Sequence, residues 1–150
     1  MVRITPPHDS TVVIKRNKSD GFAAYERGDY DTAFKELKPL AEQGDTDAQH
    51  SLGVMYDTGQ GVPQDYKEAA TWYRKAAEQG YAPAQYNLGA MYANGEGVPP
   101  DDVLAYMWFS LARTQGNEIV IENRDLIAER MTHEQIVEAQ ILAREWKPEE

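Results

Sequence analysis

Apolar side chains recur at helical spacing twice in each 36-residue span of this chain, and one span nearly restates another. Ala48, Leu52, Met55 and Tyr56 form one stripe; Ala69, Trp72, Tyr73 and Ala76 form the next. Each stripe falls on one side of a helix of about 3.6 residues per turn. "LGVMYDTGQGVP" at 52–63 returns as "LGAMYANGEGVP" at 88–99 with four changes. Residues 48–80 and 84–116 share sixteen identities in 33 positions. Gln-Gly pairs at 43–44, 79–80 and 115–116 and alanines at 33, 69 and 105 keep the same period. A period of this length marks a unit that cannot bury its own apolar face and gains a core only by stacking on its neighbours.

Each unit predicts a helix pair. Gly59 and Gly95 stop the first helix, and Gly80 and Gly116 stop the second, because glycine enters the left-handed region at little cost. Asp65 opens the second helix and, with Glu68, predicts a reciprocal cap. Pro83 sits where a first helical turn tolerates proline. Ala48, Gly53, Ala69 and Ala76 let paired helices approach, while Trp72 and Tyr73 fill the space between units. A shorter copy precedes, with Asp29-Tyr30 aligned on Asp65-Tyr66 and a first helix over about 18–26. After Gly116 one helix is predicted over about 118–131. Another starts at Thr132, capped reciprocally with Gln135, and carries Ile136, Ala139, Leu142, Ala143 and Trp146 on one face. The expectation is an all-α solenoid over 18–146, in units 18–47, 48–83, 84–117 and a cap 118–146, with an arm at 1–17 and a tail at 147–150.

Charge narrows the partners. The net charge is −10, and residues 1–20 are +2, so the rest carries −12. Such a body repels phosphate backbones, which argues against nucleic acid and anionic membranes as partners. No Lys/Arg cluster shows outside the N-terminus. The longest apolar run near the N-terminus, Val12-Val13-Ile14, is far short of a membrane span, so no membrane insertion is expected. The chain as it stands reads as soluble and cytoplasmic, or as periplasmic or secreted if a leader preceded it. With no cysteine, disulfides and thiolate chemistry are excluded.

Candidate chemistry is sparse. Gly-x-Gly at 59–61 and 95–97 lacks the Lys-Ser/Thr of a phosphate loop and follows a helix, so it reads as a helix stop. His8, His50 and His133 lie in three different elements with no ligand spacing between them, so no metal is expected. No cofactor is expected and the chain does not read as an enzyme.

Family resemblance extends this reading. "AQHSLGVMYDTGQGVPQDYKEAATWYRKAAEQG" and "AQYNLGAMYANGEGVPPD" followed by "AYMWFSLARTQG" resemble the Sel1-like repeat, a relative of the tetratricopeptide repeat. "AAYERGDYDTAFKELKPLAEQG" is similar to an ordinary tetratricopeptide unit, and "NRDLIAERMTHEQIVEAQILAREW" to the helical tail of short bacterial members. His133 stands where such tails carry proline. The resemblance covers about 18–146. It implies a right-handed α/α superhelix that serves as an adaptor or scaffold, with no shared catalytic residues. Some relatives have been suspected of acting on β-lactams. The Ser-x-x-Lys of such enzymes is missing, since Ser10, Ser19, Ser51 and Ser110 precede Val13, Phe22, Val54 and Arg113.

In superhelices of this type the first helix of each pair lines the inner curve. The positions outside its apolar stripe then face a groove: Asp47, His50, Ser51 and Val54, then Pro83, Tyr86, Asn87 and Ala90. Asn123 continues the row Ser51, Asn87 at the 36-residue spacing. Side-chain amides suit hydrogen bonding to an extended peptide. The expected function is a non-enzymatic protein–protein interaction module that holds a peptide or partner segment in this groove, as a monomer. A hydrolase of cell-wall or β-lactam-like substrates and a structural self-association unit are the alternatives.

Overall fold

The computed structural model describes residues 20–113 and 117–149, and every element among them is a helix. Helical residues 20–26 belong to α1. There follow α2 (Tyr30–Glu42), α3 (Thr46–Thr58), α4 (Tyr66–Glu78), α5 (Ala82–Asn94), α6 (Asp102–Arg113), α7 (Glu118–Ala128) and α8 (His133–Glu145). From α2 to α7 each helix packs on the next, whereas α8 lies on α6. Residues 1–17, read as an arm, and Gly116 lie outside the described residues.

The stacking rests on adjacent aromatic residues that face opposite ways. Trp72 of α4 reaches back into the core of α1–α3, with Leu37, Leu52 and Met55. Its neighbour Tyr73 joins the following core, with Leu88, Met91 and Trp108. One repeat later the pattern returns: Trp108 faces back, and Phe109 faces forward to Tyr106, Val120, Ile127 and Ala139. Each second helix therefore contributes to two successive cores, which is why one unit cannot fold alone. The small residues act as predicted. A Cβ on Gly53 would stand 2.5 Å from the Tyr73 ring, and one on Gly89 would stand 2.9 Å from Phe109. Only hydrogen at those positions lets the paired helices close.

Polar groups repeat with the same precision and were not read from the sequence. The buried Gln49 and Gln85 each donate from Nε2 to a carbonyl of the preceding helix end, Ala41 and Ala77, both at 3.1 Å. Each of these carbonyls also accepts a turn N–H, from Gly44 and Gly80 respectively, both at 3.0 Å, so the buried amide adds a second bond at the helix end. The Tyr73 hydroxyl donates to Asp57 at 3.0 Å, and burial followed by the Asp57 charge pushes its pKa up. One repeat on, the same two positions are Phe109 and Ala93, so an apolar pair replaces a bonded one with neither partner orphaned.

Terminal signals agree with the predicted ones in most places. Gly59, Gly95 and Gly80 have φ of 70°, 68° and 93°. Thr132 and Gln135 form the reciprocal cap. Three expectations need correction. Asp65 accepts from the Glu68 N–H, but the Asp65 N–H donates to the Tyr56 carbonyl at 2.9 Å, so no reciprocal bond forms. The helix predicted over 118–131 ends at Ala128, where the chain turns. Arg130 just beyond it grips Asp102 with Nε at 3.0 Å and Nη2 at 2.8 Å. Leu142 is 36% exposed rather than part of the α8 core stripe, because α8 rests on α6 along Ala139, Ala143 and Trp146.

After α8 the chain runs back over the second repeat. The Trp146 ring meets Trp108 edge-on at 6.1 Å. The Glu149 N–H donates to the Glu78 carbonyl at the end of α4, at 2.7 Å.

Candidate functional site

Two adjoining pockets run along the first helices of the repeats, and Tyr86 lines both. The larger, about 400 Å³, is lined by His50, Ala82, Pro83, Tyr86, Asn87, Ala112, Asn117 and Val120. The smaller, about 260 Å³, is lined by Tyr86, Ala90, Ala93, Asn94, Phe109, Asn123, Leu126 and Ile127. Six of the nine residues predicted to face a groove thus come together: His50, Pro83, Tyr86, Asn87, Ala90 and Asn123. Asp47, Ser51 and Val54 line neither pocket, and Val54 packs instead against the central core.

The polar side chains are paired across repeat boundaries. Asn87 Nδ2 lies 3.2 Å from His50 Nε2, and Asn123 Nδ2 donates to the Tyr86 hydroxyl at 2.9 Å. Both pairs span 37 residues rather than 36. Each amide therefore reaches the aromatic residue beside its own counterpart in the previous repeat. The row Ser51, Asn87, Asn123 is not a line of free amides. One N–H of each asparagine is already used, which leaves the carbonyl oxygen and the second N–H for a ligand.

With the Asn87 amide nitrogen facing Nε2, the bond forms when that ring nitrogen accepts, which is the neutral form with its proton on Nδ1. Its surroundings favour that form. The ring sits 5.7 Å from Tyr73 and 5.2 Å from Tyr81. Burial lowers its pKa, with the Asp47 charge opposing. The unfolded chain therefore binds this proton more tightly than the folded one. The stability tied to neutral His50 is present above about pH 6.5, the ordinary value, and is lost as pH falls through the depressed folded value. An NMR titration of the imidazole should give a midpoint below that of an ordinary histidine. The drop in urea midpoint between neutral and mildly acidic pH should shrink in His50→Gln.

Sequence reading missed the far wall of the larger pocket. Ala112, Asn117 and Val120 come from the end of α6 and the start of α7, and from this part of the chain only Asn123 was expected to contribute. Asn117 caps α7 by accepting from the Ile119 N–H at 3.0 Å. Among the described residues no group of three or more His, Asp or Glu could hold a metal ion.

Comparison with known proteins agrees with this architecture. The Sel1 repeat family matches at residues 46–81 and 82–117. The chain is similar to the protective antigen c5321 of uropathogenic Escherichia coli, which displays an SLR fold. The TM-score is 0.82 and the identity 33%, over 89% of this chain and 29% of that one. It is also similar to a Sel1 repeat protein from Oxalobacter formigenes, with a TM-score of 0.69 and 29% identity over 85% of this chain and 55% of that one. No match was found among curated protein sequences. The chain carries two Sel1 repeats and is similar in structure to Sel1-repeat proteins. It spans under a third of the first of these relatives and about half of the second.

Proposed function

We propose that the chain is a non-enzymatic interaction module that holds an extended partner segment along the two pockets. The family supports the general role, since Sel1 repeats are typically protein-interaction scaffolds. The observation that carries the finer reading is the pairing of His50 with Asn87 and of Tyr86 with Asn123. These bonds hold four amphipathic side chains in fixed positions along a groove, with amide oxygens left to meet a peptide backbone. Ordering them beforehand lowers the entropic cost of binding. Among the described residues the larger pocket contains one histidine and no carboxylate, a poor set for hydrolysis. Among the described residues no helix is long and apolar enough to cross a membrane.

Asn87→Ala is expected to weaken partner binding by about 1–3 kcal/mol with little change in melting temperature. Tyr86→Ala should lose similar affinity but also some stability, because its ring packs at 5.7 Å on Phe109. Tyr86→Phe isolates the hydroxyl. Trp72→Ala should cost roughly 3–5 kcal/mol of stability and lose binding only through the fold. The test is capture of partners from a host lysate, followed by affinity and melting measurements on each variant. Normal binding by Asn87→Ala and Tyr86→Ala, with binding abolished by Lys67→Ala on the exposed side of α4, would refute the groove.

A further inference from the structure

Three arginines distant in sequence line one pocket. Arg113 at the end of α6, Arg124 on α7 and Arg144 on α8 surround a space of about 410 Å³, together with Tyr106, Ser110, Leu111, Gln140 and Ala143. The chain has four arginines after residue 100, and the fourth, Arg130, is held by Asp102. The sequence showed no basic cluster here, because the three are spread from 113 to 144 and the intervening segments are acidic. Docking α8 on α6 creates it.

The cluster is electrostatically incomplete. Arg124 is fixed: it stacks 5.6 Å from the Tyr106 ring centre and bonds Asp125 at 3.0 Å. Among the described residues Arg113 and Arg144 have no ion pair, and both are exposed. Three guanidinium groups facing one cavity repel one another, and a bound anion relieves that repulsion. The planar forks of arginine match a carboxylate with two parallel bonds. Beside the charges stand Leu111, Ala143 and the Tyr106 ring, which can hold an apolar side chain, and Ser110 and Gln140, which can bond a peptide backbone. The −10 body discourages a polyanion but tolerates an isolated carboxylate.

We propose that this pocket binds a carboxylate carried by a partner peptide, with Arg113, Arg124 and Arg144 as its cationic groups. The site shares no residue with the groove, so either can fail without the other. A chain end and an acidic side chain offer the same chemistry, and the probes separate them. They are an N-acetylated five-residue peptide alternating leucine and glutamate with a free C-terminus, its C-terminally amidated twin, its glutamine-for-glutamate twin, and inorganic phosphate. Each is titrated into the full chain while the arginine Nε–H signals are followed by NMR. The acidic peptide should shift the three arginine signals saturably. Arg113→Ala and Arg144→Ala should each weaken it roughly tenfold or more, with unchanged melting temperature, and Arg144→Lys should recover only part. Loss on amidation assigns the chain end; loss in the glutamine twin assigns the side chain. The proposal is overturned if the peptide leaves the arginine signals unmoved or binds the Arg113→Ala/Arg144→Ala double variant equally well. It is also overturned if phosphate saturates the arginines and the peptide cannot displace it.

Discussion

Removal of residues 132–150 is expected to leave a protein that aggregates or melts early. The lost segment covers the last core: Ala139 is fully buried among Tyr106, Phe109, Val120 and Ile127, and Ile136 packs beside them. Trp146 covers Trp108 in the core before it, and the Glu149 N–H ties the chain to the end of α4. The deletion therefore uncovers two successive cores rather than one. With about 1.5–3 kcal/mol for each large side chain removed from water, and less for half-buried ones, the loss is on the order of 5 kcal/mol. That is a large fraction of the stability of an ordinary domain, and corresponds to a fall in melting temperature of roughly 10–20 °C. Thermal melting and gel filtration would report it. A truncated chain that stays monomeric with an unchanged melt would show α8 to be an appendage.

Gly97→Val should be as damaging as the loss of a core aromatic such as Trp72, and Gly80→Val a mild change. Both glycines have positive φ, 72° and 93°, so any side chain pays the left-handed penalty of about 1–2 kcal/mol. They differ in what a Cβ would meet. At Gly80 the nearest atoms, on Pro148 and Trp146, lie 3.9 Å away, which is ordinary contact. At Gly97 the Tyr66 carbonyl oxygen stands 2.2 Å away, and no side-chain rotation can move a backbone oxygen. The loop after α5 must then separate from the start of α4, for a total of roughly 3–5 kcal/mol. Urea denaturation of both variants tests this. Equal losses would mean that conformational strain alone governs both sites and that the close approach of loop and helix is unimportant.

The internal repeat made most of the fold readable. Helix stripes, terminal glycines and the Thr132 cap depend on neighbours within a few residues, and duplication printed the stripes and glycines twice. Six of the nine positions expected to face a groove line the two pockets, and those positions came from the periodicity together with the family resemblance. The Asp65 cap was misjudged for a reason local patterns cannot hold: its N–H has a better acceptor in Tyr56, which only the path of the loop brings near.

What a single line of residues settled, then, was the two-helix unit, its 36-residue period and the need to stack, because these follow from spacing and backbone preference. Which side chains meet across units was settled only when the helices packed. Asn87 found His50 and Asn123 found Tyr86 because the superhelical offset sets one first helix beside the next. Arg113, Arg124 and Arg144 met because α8 lies on α6 and not along α7. Each of those contacts spans an angle and a distance between rigid helices, and neither quantity is written in the order of the residues.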